Sequence, residues 1–147
     1  MKIAVAGTGY VGLVTGVAMA HMGHDVTCVD VDEKKIEKLN KGICPIYEED
    51  LEGEMYEYRD RLTYTTDYEK AYRDAEVIFI GVGTPEKSDG SANLDYIYMV
   101  CDNIIESVEK ELIPQGSTLD EELSNCLFQW NKQITKQSRE QLTEDVN

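Results

Sequence analysis

The sequence predicts an α/β fold with a doubly wound parallel sheet, truncated to about four strands and followed by an amphipathic C-terminal helix. Short apolar runs alternate with amphipathic segments up to residue 112, which is typical of parallel strands joined by crossover helices. A glycine-rich turn, Gly7-Thr8-Gly9-Tyr10-Val11-Gly12, joins the first apolar run to the first helical segment. Asp30 then ends the second apolar run.

The first predicted strand, helix and second strand form one β-α-β unit. The strand at 2–6 is apolar apart from Lys2, and the helix at 10–22 carries small residues that let it lie close to the sheet. The second strand, at 25–31, carries closely spaced apolar residues, which indicates burial on both faces. Its apolar residues are Val26, Cys28, Val29 and Val31.

Capping and turn residues predict the next elements. Asp32 is suited to cap a helix over 33–41, and Gly42 ends that helix. An extended loop then leads to a helix near 51–58 with apolar residues on one side, followed by a third strand at 62–66.

A fourth strand is predicted at 76–82. Thr66 and Glu69 match a capping box that opens the preceding helix, over 68–74. A further helix over 94–112 carries an apolar stripe that is expected to point inward. Its members are Ile97, Val100, Cys101, Ile104, Ile105 and Val108. The expected strand order is 3-2-1-4, which leaves the fourth strand at an edge of the sheet.

The glycine turn has the spacing of a dinucleotide-binding turn. Gly7 allows a sharp turn off the strand, Gly9 lets bare backbone approach a pyrophosphate, and Gly12 lets helix and sheet pack closely. The helix N-terminus supplies free N–H groups and a positive dipole end. Asp30 can accept hydrogen bonds from ribose hydroxyls and repel a 2′-phosphate, which predicts NAD rather than NADP. Thr84, after the fourth strand, is expected to touch the cofactor.

Composition limits the classes of partner. Acidic residues outnumber basic ones by 29 to 14, and the net charge of −15 disfavours nucleic acids and anionic membranes. No signal-peptide pattern or bilayer-length apolar run is present, so a cytoplasmic location is expected. The four cysteines lack CxxC spacing, which favours reduced thiols over a zinc site. His21 and His24 are interpreted as cations at a helix end, not as metal ligands.

Several motifs occur in the order found in a known enzyme family. They are the glycine turn, Val29-Asp30-Val31-Asp32, Lys35, the Gly42 to Pro45-Ile46-Tyr47-Glu48 loop, and Val82-Gly83-Thr84-Pro85. By these motifs residues 1–119 closely resemble the amino-terminal NAD-binding domain of nucleotide-sugar dehydrogenases, and UDP-glucose 6-dehydrogenases in particular. The resemblance implies a Rossmann-like fold. It also implies NAD contacts from Tyr10, Val11, Asp30, Lys35 and Thr84, with Asp30 and Lys35 at the adenosine ribose.

The sequence departs from that family at two places. The family usually has Glu-Pro-Gly-Leu after the loop tyrosine, whereas this chain has Glu48-Glu49-Asp50-Leu51. Family members oxidise the sugar C6 alcohol to a carboxylate with two NAD, and a cysteine in a Gly-Gly-x-Cys-Phe-Pro-Lys-Asp motif captures the intermediate aldehyde. This sequence does not contain that motif, and Cys126 has different neighbours. No catalytic residue is therefore assigned, and no metal site is expected.

Residues 120–147 are interpreted as a divergent helical tail that follows a Rossmann-type NAD-binding domain at 1–119. Where the family continues into a fifth strand, this chain has apolar residues at helical spacing. They are Leu119, Leu123, Cys126, Leu127, Trp130 and Ile134. The resulting amphipathic helix at 119–134 is expected either to cover the open edge of the fourth strand or to pair with another chain, including a second copy.

The resemblance implies the NAD-binding portion of a dehydrogenase that converts UDP-glucose to UDP-glucuronate. The chain is expected to be incomplete and inactive alone, and to meet a UDP-sugar only if a second half is supplied. The alternative is a non-catalytic NAD-binding or regulatory module. A methyltransferase that uses S-adenosylmethionine is disfavoured by Gly7-x-Gly9-x-x-Gly12 together with Thr84-Pro85. A glycine-rich turn without a ligand is the remaining interpretation.

Overall fold

Four parallel strands form the sheet in the computed structural model, which describes residues 1–112 and the side-chain surroundings of residues 1–108. The strands are β1 Lys2–Ala6, β2 Asp25–Val29, β3 Leu62–Thr65 and β4 Val77–Ile80. Their order, β3-β2-β1-β4, confirms the predicted order and the α/β class. The predicted helix at 119–134 and Cys126 lie outside the described residues.

Five helices connect or follow the strands in the described part of the chain. They are α1 Tyr10–His21, α2 Glu33–Asn40, α3 Leu51–Glu57, α4 Tyr68–Arg73 and α5 Asp95–Leu112. A single 3-10 turn at Arg59–Arg61, which the sequence pattern did not predict, precedes β3. Met1–Glu111 form one compact unit. No helix among the described residues combines the length and the apolar character that crossing a lipid bilayer requires.

Alternate residues of the strands pack into two cores, one on each side of the sheet. On one side Val5 and Cys28 pack against helices α1, α2 and α3, which contribute Leu13, Leu39 and Met55 among others. Burial raises the pKa of the Cys28 thiol to about 12, so this residue is an inert core thiol, as expected. On the other side small strand residues such as Ala4 and Ala6 pack against α4 and α5.

The second strand is two residues shorter than predicted. β2 ends at Val29, and the backbone N–H of Asp30 still donates to the carbonyl of Thr65 at 3.2 Å before the chain turns into α2. Val31 lies on that turn and is 81% exposed, so its assignment to the buried strand was wrong. The strand ends before the apolar run does because the chain must turn into α2, which Asp32 caps as predicted.

Two helix predictions are wrong in detail. Helix α4 is capped by Asp67, whose carboxylate accepts from the N–H of Lys70 at 3.1 Å, and not by Thr66. In α5, Ile105 and Val108 were expected to point inward but are exposed, and Ser107 is buried. The Ser107 hydroxyl donates to the carbonyl of Asn103 at 2.6 Å, so its burial leaves no unpaired hydroxyl. The predicted stripe is thus confirmed at Val100 and Ile104 and differs at its C-terminal end.

The loop before α3 contains a backbone conformation that is unusual for its residue. Asp50, the N-cap of α3, has a φ of 62° in the left-handed region. This is the position at which the resembling family usually has glycine, the residue best suited to a positive φ. Aspartate tolerates this region better than most other residues, which explains how the chain keeps the turn without glycine.

A candidate dinucleotide-binding site

The carboxyl ends of three strands meet at one edge of the sheet and border a cleft of about 260 Å³. Here the N–H of Gly7 donates to the carbonyl of Val29 at 2.7 Å, and the N–H of Gly81 donates to the carbonyl of Ala6 at 2.8 Å. Ligands of doubly wound sheets bind at this edge. The lining residues include Gly7, Gly9, Asp30 and Lys35 on one side and Tyr72, Tyr96 and Val100 on the other.

The glycine turn has the geometry that its three predicted roles require. Gly7 has a φ of +95°, which permits the sharp turn off β1. A Cβ atom at Gly12 would lie 2.0 Å from the carbonyl oxygen of Gly7, so helix α1 passes against the turn with no room for a side chain. A Cβ at Gly9 would meet no atom within 4 Å, so this stretch of backbone is open to an approaching group.

Helix α1 also rests on the end of β4 through a second glycine. A Cβ at Gly81 would lie 2.7 Å from the Cα of Gly12, so the two backbones meet directly. Sequence reasoning assigned no role to Gly81. The available signal was a glycine placed directly after a buried apolar strand.

The N-terminus of α1 lies at the cleft without a side-chain cap. Gly9 is the N-cap, no acidic residue occupies the first turn, and the first backbone bond is donated by Leu13 to Gly9 at 2.9 Å. The N–H groups of a helix's first turn have no partner within the helix, so they are available to an anion. Tyr10 and Val11 are exposed there, and the Tyr10 hydroxyl donates to the carbonyl of Tyr47 at 2.7 Å.

Asp30 lies directly after β2 and is held by four hydrogen bonds. Its Oδ2 atom accepts from the N–H of Thr8 at 2.9 Å, the Thr8 hydroxyl at 2.6 Å and the Lys35 ammonium at 3.0 Å. Its Oδ1 atom accepts from the N–H of Asp32 at 3.0 Å. The residue is 9% exposed, so solvent competes little for these bonds.

These contacts keep the Asp30 carboxylate charged. Burial alone would raise the pKa of the carboxyl group, but the hydrogen bonds from the Thr8 hydroxyl, from two backbone N–H groups and from Lys35 together lower it below its usual range. The charge of Asp30 acts in turn on Tyr72 across the cleft. Burial, with this neighbouring charge, raises the pKa of the Tyr72 hydroxyl to about 12.

The predicted site residues are only partly brought together. Gly7, Gly9, Asp30 and Lys35 line the cleft, whereas Gly12 supports the turn from behind. Tyr10, Val11 and Thr84 are exposed and are not among the residues that line the cleft. Thr84 follows Gly83, which does line it. Sequence reasoning missed Thr8 and Tyr72. A hydroxyl residue between two turn glycines was the only signal for Thr8.

A larger cavity of about 430 Å³ lies elsewhere, between α4 and the neighbouring strands β2 and β3. It is lined by threonines of these strands and by charges of both signs, among them Lys2, Arg61 and Asp25. None of the predicted site residues lines it. Volume alone therefore does not select the candidate site. The cleft at the strand ends is the candidate because it combines the glycine turn with the buried Asp30 carboxylate.

The fold and this edge of the sheet match a known family. A family model described as the UDP-glucose/GDP-mannose dehydrogenase family, NAD binding domain, matches residues 1–145. The chain belongs to this family. The match confirms the resemblance drawn from the motifs and extends beyond residue 119, where those motifs stop. The cofactor of the family domain is NAD, as predicted.

Named relatives agree with this assignment. The chain is 49% identical over 115 residues to UDP-glucose 6-dehydrogenase YwqF of Bacillus subtilis, covering 77% of this chain and 26% of that one. It is 43% identical over 136 residues to a UDP-glucose 6-dehydrogenase of Rickettsia bellii, covering 90% and 31%. The chain thus spans about a quarter to a third of the length of these curated relatives.

Solved structures of the same family share the fold. GDP-mannose dehydrogenase from Pseudomonas aeruginosa superposes with a TM-score of 0.68 at 44% identity, over 71% of this chain and 24% of that one. A UDP-glucose dehydrogenase from Pyrobaculum islandicum gives a TM-score of 0.69 at 36% identity, over 71% and 25%. In both cases the shared part is a minor share of the larger protein.

Proposed function

We propose that this chain binds NAD in the cleft at the strand ends and serves as the cofactor-binding part of a nucleotide-sugar dehydrogenase. The observation that carries the proposal is a buried, charged Asp30 carboxylate at the same cleft as an open glycine turn. NAD supplies the hydride acceptor when it is bound. The residues of this chain bind and orient it.

The pyrophosphate is assigned to the glycine turn. Gly9 is open to an approaching group, and the first-turn N–H groups of α1, beginning at Tyr10 and Val11, are suited to phosphate oxygens. The net charge of −15 opposes a phosphate ligand, so these local donors must supply the attraction. Thr84, exposed beside Gly83, is assigned as a further contact at the β4 side.

The adenosine ribose is assigned to Asp30 and Lys35. Oδ1 of Asp30 accepts one hydrogen bond and keeps a lone pair for a ribose hydroxyl, while the Lys35 ammonium has further donors for the hydroxyl oxygens. A 2′-phosphate would place negative charge against the Asp30 carboxylate. The site therefore favours NAD over NADP.

The activity of the whole protein follows from the family. We propose that the chain takes part in oxidation of the C6 alcohol of a nucleotide sugar such as UDP-glucose, with the substrate chemistry performed by a second half that is not among these 147 residues. The cysteine motif of the family is not among them. A cytoplasmic location is part of the same proposal, and the free thiols of Cys28, Cys44 and Cys101 support it.

Calorimetric titration with NAD and NADP tests the site. We expect NAD to bind more tightly than NADP, and Asp30→Ala to weaken NAD by at least about ten-fold, because hydrogen bonds to a charged group are lost. The same variant should reduce the difference in affinity between NAD and NADP, because Lys35 can then bind a 2′-phosphate without the opposing carboxylate. Asp30→Asn, which keeps the shape of the side chain, serves if the alanine variant unfolds.

Asp25→Ala is the matched control. Asp25 lies at the opposite end of β2, is exposed and pairs with Arg61 at 3.1 Å, so its loss removes the same charge far from the cleft. NAD affinity should be unchanged in this variant. A parent chain that does not bind NAD, or an Asp30 variant that binds as well as the parent, would show the proposed site to be wrong.

A further inference from the structure

Thr8 lies inside the glycine turn with its side chain completely buried. Two of its groups, the backbone N–H and the hydroxyl, donate to the same carboxylate oxygen of Asp30, at 2.9 and 2.6 Å. The turn that approaches the pyrophosphate and the carboxylate assigned to the ribose are therefore joined through one residue.

We propose that Thr8 is a positioning residue, whose buried hydroxyl fixes the Asp30 carboxylate in the orientation that accepts the adenosine ribose. This inference rests on the proposed NAD site and assigns to it a residue whose buried hydroxyl acts through Asp30. It also makes the hydroxyl, and not the volume of the side chain, the property that matters.

The distribution of donors over the two carboxylate oxygens supports this role. Oδ2 receives three donors, from the N–H and hydroxyl of Thr8 and from Lys35, which occupies the capacity of that oxygen. Oδ1 receives only the N–H of Asp32. The carboxylate is thus held by one oxygen and offers the other. Without the Thr8 hydroxyl, Oδ2 keeps one backbone donor and the partly exposed Lys35, so the orientation of the carboxylate is less tightly fixed.

The Thr8 hydroxyl also sets the charge of the site. Burial raises the pKa of Asp30, and the bond from the Thr8 hydroxyl is the strongest of the contacts that lower it. Lys35 on α2 donates to Asp30, and the tyrosines Tyr68 and Tyr72 of α4 and Tyr96 of α5 line the same cleft, where Tyr72 stays neutral. Since the pKa of Asp30 is lowered, the carboxylate is charged and NAD affinity is at its full value at neutral pH. The affinity falls when the pH drops below the pKa of Asp30. Removing the hydroxyl moves that loss to higher pH.

Two variants of Thr8 distinguish the effect of its hydroxyl from the effect of its side-chain volume. Thr8→Val keeps the shape and removes the hydroxyl, whereas Thr8→Ser keeps the hydroxyl and removes a methyl group. By titration we expect Thr8→Val to weaken NAD about ten-fold, and ADP-ribose by the same factor because it contains the same ribose. Thr8→Ser should stay within about three-fold of the parent. Circular dichroism shows whether each variant is folded.

The second readout does not depend on the cofactor. A carbon-13 NMR titration of the Asp30 carboxyl should give a higher pKa in Thr8→Val than in the parent and in Thr8→Ser. Equal NAD affinity in the parent and in Thr8→Val would refute the role of the Thr8 hydroxyl. So would an equal loss of NAD affinity in Thr8→Val and Thr8→Ser. Neither outcome would contradict the proposed NAD site. A parent chain that binds no NAD overturns the proposed function and the cofactor part of this inference, while the carboxyl titration still reports whether the hydroxyl controls Asp30.

Discussion

Two glycines of the turn, Gly9 and Gly12, differ in what an added methyl group would meet. At Gly12 it would lie 2.0 Å from a backbone oxygen, so Gly12→Ala should lower the free energy of unfolding by about 3 kcal/mol or more. At Gly9 it would meet open space, so Gly9→Ala should cost no more than about 1 kcal/mol, the range of an N-cap change. Urea denaturation measures both.

The same pair separates folding from binding. In Gly9→Ala the methyl group occupies the space assigned to the pyrophosphate, so NAD affinity should fall by at least about ten-fold although the chain stays folded. A Gly9→Ala variant that binds NAD normally contradicts the assigned position of the pyrophosphate. A Gly12→Ala variant of parental stability contradicts the close approach of helix and turn.

At this scale the sequence was sufficient to place groups whose position is fixed by spacing along the chain. The three turn glycines and Asp30 have this property because a strand, a turn and a helix place them without help from distant residues. Thr8 and Gly81 do not have it. Their partners lie across the sheet edge, and local patterns carry no information on which atoms meet there.

Among the elements, the start of α3 carries a conformational cost that can be removed. Asp50 adopts a φ of 62°, a region in which a residue with a Cβ atom is strained by roughly 1–2 kcal/mol. Asp50→Gly should therefore raise the free energy of unfolding, by about 0.5–1 kcal/mol after the greater chain entropy of glycine is counted. Thermal and urea denaturation both measure the change.

Asp50→Ala is the control for this prediction. It retains the Cβ atom and removes a side chain that tolerates the left-handed region, so it should be less stable than the parent. If glycine lowers stability as much as alanine does, the loop does not hold the strained conformation, and the local structure before Leu51 differs from the one described here.

Element existence and order followed from the sequence, whereas several ends and faces did not. The alternation of apolar runs and amphipathic segments predicted every strand and helix of residues 1–112 except the short 3-10 turn. The misplaced cap of α4 arose because Thr66 and Asp67 are both good N-cap residues, and only the backbone decides between them. The stripe of α5 was predicted incorrectly at its C-terminal end because serine can be buried when its hydroxyl donates a hydrogen bond within its own helix.

The whole molecule carries an unbalanced charge that should oppose its compact state. With a net charge of −15, self-repulsion destabilises folding, and salt screens it. Raising sodium chloride from about 20 mM to about 500 mM should therefore raise the Tm by several degrees. Differential scanning fluorimetry measures the shift, and potassium chloride should give the same result because the effect depends on ionic strength.

A Tm that stays constant or falls with salt would show that local ion pairs, such as Lys35 with Asp30, outweigh the net repulsion.

The fold class and sheet order were predictable at this scale because they depend on patterns that extend along the chain. The division at residue 119 and the tail helix remain predictions, since they lie beyond the described residues.

The backbone contact between Gly12 and Gly81 has an evolutionary consequence. Most pairs of contacting residues can change during evolution, because a larger side chain at one position is offset by a smaller side chain at the other. Here neither residue can be replaced by a smaller one, because both are glycines. No pair of compensating substitutions is therefore available. We expect descendants of this chain either to retain both glycines or to lose the contact between helix and strand.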